Sequence, residues 1–267
     1  MIQFKKNDLT VFQSALFMTT SAVIQNNEYI VLADPNWLPH EVAEIREYIN
    51  GQLGDKQLYI IYTHSDFDHI IGSGAFPEAK VIATERFVDN PNREEKMRKI
   101  HQFDQGYYLQ RNYQPEYPAV DVVVSNHGQK LELGSMTLTF YLAPGHTHEG
   151  LFTVIEPYGV FLTGDYLSDV EFPFIFSSYK DYVGTMETAE KILAQHPITT
   201  HIPGHGTVTE NEAEVQNRLS LSKHYLTQLV QDHGELENFL RKNYTFFDGI
   251  KEVHEENKKI AKRETMN

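Results

Sequence analysis

Four stretches of this sequence set histidine and aspartate directly behind apolar runs. In the first, Leu58–Tyr62 is followed by His64, Asp66, Asp68 and His69, four potential donors within six residues. In the other three, Thr139–Leu142 leads through Pro144-Gly145 to His146, Val160–Leu162 through Gly164 to Asp165, and Thr200–Ile202 through Pro203-Gly204 to His205. Imidazole and carboxylate are the side chains that bind zinc, iron or manganese without sulfur. Gathering so many of them in one place is costly unless a cation pairs with them. The chemistry this points to is that of a metal centre built from nitrogen and oxygen donors, because the chain has no cysteine.

Such donors need a frame. The pattern alternates strands and helices, and the ends of strands at a sheet rim are where α/β proteins collect reactive groups. Strands are predicted at 10–18, 29–33, 58–62, 80–83, 120–124, 151–155, 159–163 and 199–202, with alternation at Met136, Leu138, Phe140 and Leu142 adding another. A helix is predicted over 39–50, with Val42, Ile45 and Ile49 on one face and Gly51 as its stop. A second is predicted over 180–196, and a third after Thr209, which has capping-box spacing to Glu212. Residues 90–117 form a less regular insert, and the charged tail from Lys251 reads as a frayed surface helix. One domain over 1–267 is expected.

Composition narrows the function. A formal charge of −14 with no Lys/Arg-rich stripe to offset it disfavours nucleic acid and anionic membranes as partners. No apolar run is long enough to span a bilayer, and the N-terminus does not read as a signal peptide. A cytoplasmic protein acting on a small-molecule substrate is expected.

The four stretches, in this order and each behind a strand, resemble the metallo-β-lactamase superfamily, whose motif runs His-x-His-x-Asp-His, then Gly-His, Gly-Asp and Gly-His. The resemblance extends from Asp34 to the helix after His205. It implies an α/β fold, a four-layer αββα sandwich with the site at one edge. It implies His64 and His146 as ligands of a first metal, Asp68, His69 and His205 as ligands of a second, and Asp165 as a bridge. Asp34 falls where the family has a carboxylate that supports the site by hydrogen bonding. The implied activity is hydrolysis of a small ester, thioester, lactone or phosphoester by a hydroxide shared between two divalent ions, with Asp68 orienting the nucleophile.

The chain departs from the motif at Asp66, where the family has histidine. Three carboxylates (Asp66, Asp68, Asp165) and four neutral imidazoles carry a charge of −3, which two divalent ions and one hydroxide cancel. Zinc is the expected metal, with iron or manganese better tolerated because of the added oxygen donor. Aspartate is shorter than histidine, so Asp66 is expected to reach the first metal only by a backbone shift or through a water. The flavo-diiron branch of the superfamily carries a carboxylate at this place, but 267 residues leave no room for its flavin domain. The alternatives are a di-iron oxidoreductase-like protein and a non-catalytic metal-binding protein.

Other candidates receive lesser roles. His148 is expected to support the site or face solvent rather than bind metal. His101, His127, His196, His201, His224, His233 and His254 are expected to be surface or structural. Tyr107, Tyr108 and Tyr113 either contact substrate or pack an amphipathic helix, packing being favoured. The apolar segment Glu171–Tyr179 either lines a substrate pocket or forms a homodimer interface.

Overall fold

Strand β4 (Tyr29–Ala33) shows how the layers are divided. Successive side chains of a strand point to opposite faces. Ile30 and Leu32 accordingly pack against the helix α1 (Pro39–Leu53). Val31 and Ala33 face the opposite way, into an apolar layer shared with a second sheet. The same alternation recurs in β5 (Gln57–Ile61), with Leu58 and Ile60 outward and Tyr59 and Ile61 inward.

The computed structural model describes residues 1–231 and 234–265. The first sheet runs in the order β1 (Ile2–Lys6), β2 (Leu9–Gln13), β3 (Thr20–Gln25), β4, β5, β6 (Lys80–Thr84), β7 (Val122–Val124). It is antiparallel up to β4 and parallel from β4 to β7. The second sheet runs in the order β12 (Thr200–Ile202), β11 (Val160–Leu162), β10 (Leu151–Glu156), β9 (Met136–Leu142), β8 (Gln129–Leu133), with only the β11–β12 pair parallel. Leu138, Phe140, Leu151 and Ile155 of this sheet meet Val11, Ala22, Ile24 and Ile61 of the first.

Helices cover both outer faces. On the first sheet lie α1, the short α2 (Phe67–Ile70) and α3 (Glu85–Val88), and α4 (Arg93–Gly106), which contributes Ile100. On the second lie α5 (Tyr179–Gln195), α6 (Glu212–Leu229), α7 (Leu236–Asn243) and α8 (Lys251–Thr265). This is the αββα sandwich of the sequence reading. No helix among the described residues is long and apolar enough to cross a membrane.

Local details differ from the expectations. The strand expected over 10–18 ends at Gln13, and residues 14–19 form a loop tied to α1 by Glu41, which accepts from Ser14 Oγ and the Ala15 amide. Helix α1 passes through Gly51 and ends at Leu53, before Gly54, whose φ of 49° favours glycine. The cap of α6 is Asn211, whose side chain accepts from the Ala213 amide, and not Thr209. The charged C-terminal segment is not frayed. Its His254, Asn257 and Ala261 are buried, and Ala261, with Val253 and Ile260, joins the apolar layer outside the second sheet.

Candidate metal centre

Every strand that carries a donor ends at the same edge of the sandwich. Beyond β5, the chain turns through His64 and Asp66 into α2, which holds Asp68 and His69. Beyond β9, β11 and β12 come His146, Asp165 and His205. The turns bring backbone close to side chains. At Gly204 an added Cβ would lie 2.4 Å from Asp165 Oδ1, and at Gly145 it would lie 2.4 Å from the Tyr182 backbone. Glycine is required at both.

The four imidazoles share one arrangement: Nδ1 is held by the protein and Nε2 points into the centre. His69 Nδ1 lies 3.0 Å from Asp34 Oδ2. Thr63 Oγ1 donates to Asp34 Oδ2 at 2.6 Å, so it accepts from His64 Nδ1–H at 3.0 Å. His146 Nδ1–H donates to the Phe174 carbonyl, and His205 Nδ1–H to the Phe17 carbonyl, each at 2.9 Å. These partners fix the tautomer that leaves every Nε2 lone pair free.

The free nitrogens meet the carboxylates in two groups. Asp165 Oδ2 lies 3.4 Å from His64 Nε2 and 3.1 Å from His146 Nε2. Its Oδ1 lies 3.1 Å from His69 Nε2 and 3.4 Å from His205 Nε2. Asp66 Oδ2 completes the first group, 3.4 Å from His146 Nε2. Asp68 Oδ2 completes the second, 3.5 Å from His69 Nε2 and 3.4 Å from His205 Nε2. The other Asp66 oxygen, Oδ1, takes an ion pair from Lys96 of α4.

The electrostatics are those of a cation site. Burial disfavours charge on these groups, yet mutual attraction overrides it. Carboxylates of Asp165 and Asp66 carry the His146 imidazole up to about 10 against burial. His69 and His205 are likewise raised, and Asp66, Asp68 and Asp165 are held low by the imidazoles around them. His64 Nε2, His146 Nε2 and Asp165 Oδ1 are buried without a hydrogen-bond partner. Buried polar atoms are nearly always satisfied, so orphaned atoms converging from three strands fit absent cations. The seven donors of the sequence motif therefore gather in two adjoining groups able to hold metal, His64, Asp66, His146 and Asp165 in one, and Asp68, His69 and His205, with Asp165 Oδ1 beside them, in the other. Asp66 Oδ2 lies among the first group, within 4.8 Å of its other donor atoms.

The surroundings add Phe17, Trp37, Phe67, Lys96 and Lys99, which the sequence did not single out, to members of the apolar segment that it did. A cavity of about 480 Å³ over the donors is lined by Phe17, Trp37, Phe67, Lys96, Lys99, Glu171, Phe174 and Phe176. Glu171 has its Oε1 3.8 Å from His205 Nδ1, and burial pushes it up to about 7. The helix expected in the insert is α4, but it offers Lys96 and Lys99 to the cavity. Tyr107 and Tyr108 are exposed, and Tyr113 donates to the Ile71 carbonyl away from the donors. Within the apolar segment, Phe174 and Phe176 line the cavity while Phe172 and Ile175 are buried under α8. His148 stands outside the donor groups, its Nδ1 2.7 Å from Glu149 Oε2. His201 and His254 are fully buried rather than on the surface, and His233 lies outside the described residues.

Comparisons with known proteins agree with this geometry. No curated protein matches the chain. Among solved structures, an inverting sec-alkylsulfatase from Pseudomonas sp. superposes with a TM-score of 0.68 at 16% identity over 86% of this chain. The chain spans less than half of that enzyme, 42% of its length. An archaeal metallo-β-lactamase superfamily protein from Sulfolobus tokodaii gives a TM-score of 0.58 at 17% identity, covering 90% of this chain and 97% of that one. A B3 metallo-β-lactamase with an active-site glutamic acid gives 0.56 at 19% identity, covering 83% and 86%. These likenesses concern the fold. The sequence model of the metallo-β-lactamase superfamily matches residues 15–205. That span takes in Asp34 and every donor from His64 to His205, and the chain belongs to the metallo-β-lactamase superfamily.

Proposed function

We propose that this chain is a dinuclear metallo-hydrolase acting on a small ester, thioester, lactone or phosphoester. The observation that carries this reading is Asp165, whose two oxygens each face a different pair of imidazole Nε2 atoms. A carboxylate so placed would hold two cations, one through each oxygen. When bound, two divalent ions supply an acidified water and polarise the oxygen of the electrophile.

The protein's own groups do the rest. Asp68, held ionised by His69 and His205 against burial, accepts a hydrogen bond from the attacking water and orients it. Lys96 and Lys99 line the cavity wall, Lys96 paired with Asp66 and Lys99 with Glu95 at 3.4 Å. Phe17, Phe67, Phe174 and Phe176 present apolar surface that displaces water from the reacting bond. Zinc is the metal we propose, and the Asp66 oxygen makes iron or manganese a better fit than in a site with histidine there.

Elemental mass spectrometry of protein purified without chelators tests this directly. Near two metals per chain, falling in His69→Ala, is expected, together with turnover of at least one ester, thioester, lactone or phosphoester. Absence of metal after reconstitution with zinc, iron and manganese would overturn the reading. Asp66→His, measured alongside, reports whether the carboxylate sets the metal preference.

A further inference from the structure

A second cavity, of about 500 Å³, adjoins the one over the donors, with Phe17 and Glu171 lining both. Its remaining walls are mainly apolar: Met18, Val170, Phe246 and Ile250, with Gly249 between the last two. The polar members do not claim the interior. The Asp248 side chain is 75% exposed and paired with Arg241 on the solvent side. Phe17 is 60% exposed and Phe246 54%, so two phenylalanine rings stand open to solvent across a concave apolar surface. Large apolar side chains left exposed around a cavity mark a binding surface.

The loop that presents Phe17 is built rather than slack. Phe17 and Met18 both hold left-handed backbone, with φ of 51° and 52°. Such a conformation is costly in residues with large side chains and persists only where the surroundings enforce it. Here they do: Glu41 holds Ala15, the Phe17 carbonyl takes His205 Nδ1–H, and the Phe17 ring stacks on Trp37 at 5.3 Å. The ring so held lines both cavities.

We propose that the second cavity is the subsite for an apolar arm of the substrate, an alkyl or acyl chain whose ester or thioester linkage lies over the donors. This rests on the hydrolase reading and narrows it to substrates with a polar, cleavable head and a straight apolar tail. Phe17 and Glu171, which line both cavities, set the path from one to the other. The cluster of His and Asp donors at one end and the mainly apolar second cavity at the other set the polarity of the molecule that fits. Nothing along the second cavity offers a polar head a buried partner other than Glu171, which stands at the junction.

The test uses metal-loaded protein and two matched series of straight chains, free carboxylates and p-nitrophenyl esters, from four to eight carbons. Calorimetry gives the carboxylate Kd, and the lone tryptophan, Trp37, gives an optical readout through its contact with Phe17. Affinity should improve roughly tenfold for every two methylenes added. Gly249→Phe fills the cavity, since a Cβ there meets nothing within 4 Å, and should flatten that slope. Phe246→Ser removes an exposed wall without disturbing the core and should reduce it. A Kd independent of chain length, or a slope unchanged in both variants, overturns the subsite. Ester turnover without length dependence overturns the subsite and leaves the hydrolase reading standing. A carboxylate slope without turnover of any ester supports the subsite and counts against the hydrolase.

Discussion

Lys96 pairs with the Asp66 oxygen that points away from the imidazoles, leaving Oδ2 to face His64 and His146. The lysine comes from α4, so a helix outside the four donor-bearing stretches orients the one donor that departs from the family motif. Against its burial, the His146 imidazole, and then the Lys96 ammonium, keep Asp66 well below the usual carboxylate range. Lys96→Met should weaken the metal at the His64 side about tenfold, as loss of an outer hydrogen-bonding partner does elsewhere. Competition with a chromogenic chelator measures this. Lys96→Arg should restore most of the loss, and an unchanged affinity in Lys96→Met would remove the positioning role.

Asp34 is the corresponding support on the other side. Its carboxylate accepts from the Thr63 amide at 2.9 Å, from Thr63 Oγ1 and from His69 Nδ1. Asparagine cannot accept in all three directions, because one of its two terminal atoms is a donor. Asp34→Asn should release metal from the His69 side, roughly ten- to a hundredfold more weakly held, and lower stability by about 1–3 kcal/mol. Metal counting and urea titration separate the two effects.

Removing metal should destabilise the whole fold, because ions bound only by the native state raise its stability by mass action. At a thousandfold excess over Kd the contribution is about 4 kcal/mol for each ion. Calorimetric melting with and without EDTA should differ by several degrees, and zinc should restore the higher transition. Superimposable melts would count against ions held by these donors.

A pH effect should come from a residue away from the donors. His201 is buried, with Nε2 2.9 Å from Thr163 Oγ1 and with Nδ1 lacking any partner. Burial, and then the Arg218 guanidinium, hold its imidazole well below the ordinary histidine value of about 6.5. The unfolded chain therefore binds a proton below that pH while the native state does not. Stability is complete above about 6.5 and falls as the solution becomes more acidic, by up to about 1.4 kcal/mol per pH unit. His201→Phe should flatten this part of the profile relative to the parent. Equal slopes in the two proteins would show that His201 is charged in the native state.

Much of this site could be read from order and spacing. Apolar runs ending in His or Asp identified four strand ends, and those strands do finish at one edge. The missing strands β1, β3 and β8 have physical reasons. Strand β1 is an edge strand with exposed Ile2, Lys5 and Lys6, and β8 has exposed Lys130 and Glu132, so neither shows a continuous apolar face. Strand β3 begins Thr20-Ser21, whose hydroxyls are buried and satisfied by Pro203 and Asp34 carbonyls. Polar residues of that kind look like loop until their partners are known. Lys96 was equally hidden, since nothing within its own helix distinguishes a lysine facing Asp66 from one facing water. Tyr107 and Tyr108 are the converse: aromatic residues at helical spacing that remain exposed beyond the last turn of α4.

The carbonyl that secures His205 belongs to Phe17, the residue whose ring walls the apolar cavity. One peptide thus answers to two occupants. Anything that shifts this loop while settling beside the ring alters how firmly the imidazole is held. Thermodynamic reciprocity then requires that ion and apolar ligand change each other's affinity by one common factor, whichever arrives first.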